Sequence, residues 1–92
     1  MRMSKRLIIH GRVQGVFFRG WTVDEARALG LDGWVRNRRD GTVEMVIDGP
    51  ENAVAQMIER VRQGPSAARV EHVDVEDTDE AALAGFQQRP TV

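Results

Sequence analysis

Gly11-Arg12-Val13-Gln14-Gly15-Val16-Phe17-Phe18-Arg19 holds the residues whose types and spacing can do chemistry. Glycines bracket the turn, so the backbone can fold back on itself and bring successive amide N–H groups toward one point. A helix starting near Phe18 adds its positive N-terminal end. Arg19, in the first turn of that helix, offers a planar fork of donors to two oxygens of a phosphate or carboxylate. The stretch reads as an anion cradle. Its ligands are the backbone amides of Arg12, Val13, Gln14, Gly15, Val16, Phe17 and Phe18, together with the Arg19 guanidinium. The Gln14 side chain is long enough to reach a substrate, yet its backbone amide is the simpler contact. Phe18 is expected in the core and Phe17 nearer the rim of the site.

The elements that must position this loop are legible in the hydrophobic pattern. Lys5 to Val13 place Leu7, Ile9 and Val13 on one face of an extended segment, with His10 and Arg12 on the other, as in a half-buried strand. From Phe18 onward, Phe18, Thr22, Ala26 and Leu29 recur at steps of three and four, which predicts an amphipathic helix closed at Gly30. Gly33-Trp34-Val35-Arg36-Asn37 and Thr42 to Ile47 are β-prone runs joined through Asp40-Gly41, a hairpin signal, with Val43, Met45 and Ile47 facing the core. Pro50 opens a second helix striped by Val54, Met57, Ile58 and Val61 and ended by Gly64-Pro65. Val70 to Val75 is a fourth strand, Glu76 to Glu80 a solvated acidic loop, and Phe86 to Arg89 a short closing strand stopped by Pro90. The order β-α-β-β-α-β predicts an α+β, ferredoxin-like split βαβ fold: an antiparallel sheet with two helices on one face, in a single domain over residues 1–92.

Composition narrows the function. The 92 residues carry a formal net charge of −1 and no cysteine, and the pI is about 6.1. A near-neutral balance lacks the broad basic field of a protein that grips nucleic acid by its phosphates. The absence of cysteine removes disulfides, thiolate chemistry and cysteine-rich zinc sites. The apolar run Leu7-Ile8-Ile9 behind the basic N-terminus is far too short for a signal peptide or membrane span. The expectation is a cytoplasmic protein, monomeric, without a membrane or nucleic-acid partner.

A second cluster, Gly33-Trp34-Val35-Arg36-Asn37 followed by Asp40-Gly41-Thr42-Val43-Glu44 and Gly49, completes a pattern. The two clusters together resemble the acylphosphatase family. Its members carry a G-x-V-Q-G-V-x-F-R loop and a G-(aromatic)-V-x-N-x-x-x-G-x-V strand pair, and both occur here unbroken and in order. Leu29-Gly30-Leu31 between them is also typical. The similarity is detailed from about Leu7 to Pro50 and looser over the rest of the chain.

The resemblance implies hydrolysis of the carboxyl–phosphate bond of acyl phosphates, giving a carboxylate and inorganic phosphate. It implies that Arg19 binds the phosphate and that Asn37 places the attacking water. Physical reasoning agrees, since phosphoryl transfer needs positioning and charge stabilisation more than covalent help. Asn37 can hold a water while staying uncharged, whereas a carboxylate would repel the phosphate. Neither motif supplies an obvious general acid or a metal cluster, and an acyl phosphate needs neither because it departs as a stable carboxylate. No metal or cofactor is expected.

The other notable side chains have plainer roles. Thr22, Met45 and Met57 read as packing residues; Trp21 and Trp34 are open between core, partner surface and stacking platform, with packing favoured for Trp34, and Trp21 and Gly20 lie outside the shared motif. His10 and His72 read as surface or hydrogen-bonded groups, because no further ligand stands at metal spacing. Arg36, Arg38 and Arg39 form a basic patch beside Asn37 that either draws anionic substrates or is a solvated hairpin. Two other functions use the same features. One is a noncatalytic module binding phosphate or an acyl phosphate in the same cradle. The other is an RNA-binding domain of ferredoxin-like topology, disfavoured because the aromatic pair and basic balance of such modules are missing.

Overall fold

The apolar alternation at Leu7 and Ile9 seats the first strand, β1 (Arg2–Arg12), in the interior of a five-stranded sheet. The structure is a computed structural model and describes residues 2–80 and 84–92. After β1 come α1 (Phe18–Ala28), β2 (Asp32–Asn37), β3 (Val43–Pro50), α2 (Glu51–Gln63), β4 (Arg69–Asp77) and β5 (Phe86–Gln88). Across the sheet the order is β4-β1-β3-β2-β5. β1 pairs antiparallel with both β3 and β4, and β2 antiparallel with β3. This is the expected split βαβ arrangement.

One pairing departs from an all-antiparallel sheet: β5 lies parallel to β2, with Val35 opposite Gln88. The cause is direction. β4 runs opposite to β1, and so opposite to β2, so a chain that reverses after β4 enters β5 running the same way as β2. The acidic stretch also differs, because Glu76 and Asp77 belong to β4 and only Thr78 to Glu80 lie beyond it. Their partners are on β1, where Lys5 bonds Asp77 and Arg6 Nε lies 3.8 Å from Glu76. Charge on this edge strand also discourages pairing with another chain.

The helices cover one face of the sheet. Phe18, Val23 and Ala26 of α1 and Val54, Met57 and Val61 of α2 meet Leu7, Ile9, Val35, Val43, Met45, Ile47 and Phe86 in one core. Each large side chain so buried contributes about 1.5–3 kcal/mol. Thr22 is fully buried and its hydroxyl donates to Phe18 O at 2.9 Å, which fits its packing role.

The opposite face is closed by charge. Glu44, 4% exposed, accepts from Arg6 Nη1 at 2.6 Å and Arg36 Nε at 2.8 Å. Trp34 lies beside them, with the guanidinium carbons of Arg36 and Arg89 each 4.6 Å from its ring centroid and its Nε1 donating to Glu80 at 2.5 Å. Arg36 is therefore no part of a free basic patch beside Asn37, because strand alternation turns it to the other face. Among the described residues, no helix is long and apolar enough to cross a membrane.

Candidate active site

β1 ends in an irregularity between His10 and Gly11, where its register with β4 shifts. Gly11 makes this possible. Its φ is 127°, and a Cβ there would stand 2.1 Å from the Arg69 carbonyl oxygen, so no other residue fits without moving β4. The chain then crosses from Arg12 to Phe18 in a short loop. Gly15 takes φ 73° and Phe17 takes φ 61°, and Phe17 is the N-cap of α1. For a phenylalanine, that left-handed conformation costs about 1–2 kcal/mol.

The loop leaves its donors unspent. Among the described residues, the amides from Gln14 to Phe17 make no hydrogen bond to another backbone carbonyl. The helix start has neither a side-chain cap nor an acidic residue in its first turn, so its positive end is uncompensated. Arg19 has no carboxylate partner among the described residues.

One pocket of about 130 Å³ collects Val13, Gly15, Phe17, Phe18, Arg19, Gly20, Asn37 and Gln88. Arg19 and Asn37, 18 positions apart in the chain, thus line the same cavity. Strand alternation accounts for Asn37: it follows Val35 on the helix-covered face and sits at the end of β2, beside the loop. Its Oδ1 is buried and has no hydrogen-bond partner. A buried acceptor without a donor is costly, and such atoms mark places where a ligand or water belongs. A larger hollow of about 350 Å³ lies at the other end of β2, lined by Arg27, Gly30, Asp32 and Phe86 among others, away from both residues.

Of the predicted loop ligands, Val13, Gly15, Phe17 and Phe18 line the pocket, while Arg12, Gln14 and Val16 do not. Val16 packs against the core and Arg12 is exposed. The Gln14 side chain turns away from the cavity, donating to Arg38 O at 2.7 Å and Thr42 O at 2.8 Å. It ties the loop to the hairpin that carries Asn37. That hairpin is also braced by Asp40, whose Oδ1 accepts from Thr42 N at 2.9 Å and Thr42 Oγ1 at 2.6 Å. These bonds, the Oγ1 donation first, hold the Asp40 carboxyl below the usual carboxylate range.

Sequence reasoning missed Gln88 as a pocket residue. The signal was present, since Phe86 is buried in the core and period two puts Gln88 on the same face. Beyond β5 the main chain keeps to β2, with Arg89 N donating to Val35 O at 2.9 Å and Val92 N to Asn37 O at 3.2 Å. His10 and His72 share one carboxylate, Asp74, at 2.9 and 2.6 Å, and these bonds, with His10 first, lower the Asp74 pKa.

Known proteins match this chain along its length. The family model described as Acylphosphatase matches residues 5–88. An acylphosphatase of Rhizorhabdus wittichii is 55% identical over 91 residues, covering 99% of this chain and 92% of that protein. The crystal structure of acylphosphatase from Bacillus subtilis superposes with a TM-score of 0.89 at 38% identity, covering 97% of this chain and 99% of that one. The structure of an acylphosphatase from Coxiella burnetii superposes at 0.91 with 33% identity, covering 96% and 93%. With the loop, the strand pair, the fold and these relatives in agreement, the chain belongs to the acylphosphatase family.

Proposed function

We propose that this enzyme hydrolyses acyl phosphates by holding the phosphate between the loop amides and Arg19 while Asn37 presents the attacking water. The observation that carries this reading is that Asn37, whose Oδ1 is buried and unpartnered, lines the same pocket as Arg19. An amide oxygen there accepts one O–H of a water and leaves a lone pair free to attack phosphorus. The new oxygen–phosphorus bond forms as the bond from phosphorus to the acyl oxygen breaks, and the carboxylate leaves with the electron pair. The proton of the water passes to a phosphate oxygen of the substrate. Positive charge from Arg19 and the loop amides stabilises the oxygens of the transferring group.

A pocket of about 130 Å³ suits a phosphoryl group rather than a whole organic molecule, since sites that enclose drug-sized ligands run to about 300–1,000 Å³. The leaving group needs no protonation, so the reaction proceeds without a metal or other cofactor. The reading extends to a monomer acting in the cytoplasm on small molecules, apart from nucleic acid and membrane.

Hydrolysis of benzoyl phosphate with inorganic phosphate as competitor tests the Arg19 assignment. Arg19→Ala loses phosphate inhibition and about 10³-fold or more in kcat/KM together. Retained inhibition in that variant would remove Arg19 from the phosphate site.

A further inference from the structure

Phe17 is placed at a triple disadvantage that the fold does not repay. Its ring is 74% exposed, more than any other large apolar side chain described. Its backbone is the one non-glycine left-handed residue among those described, at φ 61°. Its ring also lies against Gly20, where a Cβ would fall 2.4 Å from Phe17 Cε1 and 2.5 Å from Cζ. The ring therefore rests on bare backbone one helical turn into α1, at the edge of the pocket lined by Arg19 and Asn37. Residues held in a strained backbone conformation cluster at active sites and ligand clamps.

We propose that Phe17 is the acyl-group platform of the enzyme and biases it toward acyl phosphates with aromatic or extended apolar acyl groups. The proposal rests on the acylphosphatase reading and adds the substrate's other half. The cavity holds the phosphoryl end, so the acyl group must emerge through the mouth, and Phe17 supplies an apolar face there. Gly20 is part of the device, since any larger residue displaces the ring. An aromatic acyl group gains an offset or edge-on contact with the ring, whereas an acetyl group covers almost none of it.

The test compares kcat/KM for benzoyl phosphate with that for acetyl phosphate in wild type, Phe17→Asn and Phe17→Tyr. Asparagine tolerates the left-handed conformation while removing the apolar ring, and tyrosine keeps the ring. The benzoyl-to-acetyl ratio is expected to fall about three- to tenfold in Phe17→Asn and to stay near wild type in Phe17→Tyr. Gly20→Ala, which must move the ring, shifts the ratio in the same direction as Phe17→Asn. An unchanged ratio in Phe17→Asn overturns the platform while leaving the acylphosphatase reading intact. A wild type inert toward both substrates contradicts that reading instead.

Discussion

Gln14 Nε2 sits 2.7 Å from the carbonyl oxygen of Arg38, a contact spanning 24 residues that locks the anion loop to the hairpin bearing Asn37. The same nitrogen donates to Thr42 O at 2.8 Å, so both of its protons are committed. In-line displacement demands that the phosphate and the water be held in fixed relation. Gln14 connects the two elements to which the proposed mechanism assigns them.

Gln14→Ala should therefore lower kcat by about ten- to a hundredfold, the scale of a slight misplacement of reacting groups. Inhibition by inorganic phosphate should change much less, because the loop amides and Arg19 remain. Steady-state kinetics with phosphate titration checks the split. Loss of phosphate binding in proportion to kcat would make Gln14 a ligand rather than a positioning residue.

Asp40 gives a pH-dependent stability with a defined sign. Its pKa in the folded chain is lowered from 3.8, first by the Thr42 hydroxyl and then by the Thr42 amide. A depressed folded pKa means stabilisation that is present above the ordinary value and lost as pH falls through the folded one. Asp40→Asn should lower Tm at pH 7, and its gap from wild type should close below about pH 4. Thermal melts across pH 3–7 follow the gap, and one that widens on acidification would contradict the assignment.

Glu44 predicts a stability effect without a catalytic one. Its carboxylate is nearly buried between Arg6 and Arg36, whose side chains are 27% and 25% exposed. Glu44→Gln leaves two guanidiniums facing a neutral group and should cost about 2–3 kcal/mol, less than the roughly 3–5 kcal/mol of a fully buried pair because both arginines reach solvent. The substitution lies on the sheet face away from the pocket, so kcat should hold near wild type. Urea unfolding and a rate assay on the same preparation decide it.

How much of this was legible in the sequence follows the range of the interactions. The glycine-bracketed loop, the start of α1 at Phe18 and the Asp40-Gly41 turn are local, and turn chemistry and periodicity predict them from neighbouring residues. Asn37 was readable as a site residue only through the family motif, and its place one strand period beyond Val35 accounts for its facing the loop. The destination of the Gln14 side chain was not, because it depends on how a hairpin more than 20 residues away folds back. The parallel pairing of β5 and the stacking of Arg89 on Trp34 are likewise products of topology. The rim position of Phe17 was legible beside the core position of Phe18, but its backbone was not, since a phenylalanine in the left-handed region runs against its own preference.

The central claim is that Asn37 places the water while Arg19 and the loop hold the phosphate. Metal-free hydrolysis of benzoyl phosphate by wild type and Asn37→Ala, each titrated with inorganic phosphate, tests it most directly. The account predicts fast wild-type turnover, a collapse of kcat by about 10³-fold in Asn37→Ala and largely preserved phosphate inhibition in both. Near-full turnover in Asn37→Ala would contradict it, and a wild type that binds phosphate without hydrolysing the substrate would make the cradle a binding site alone.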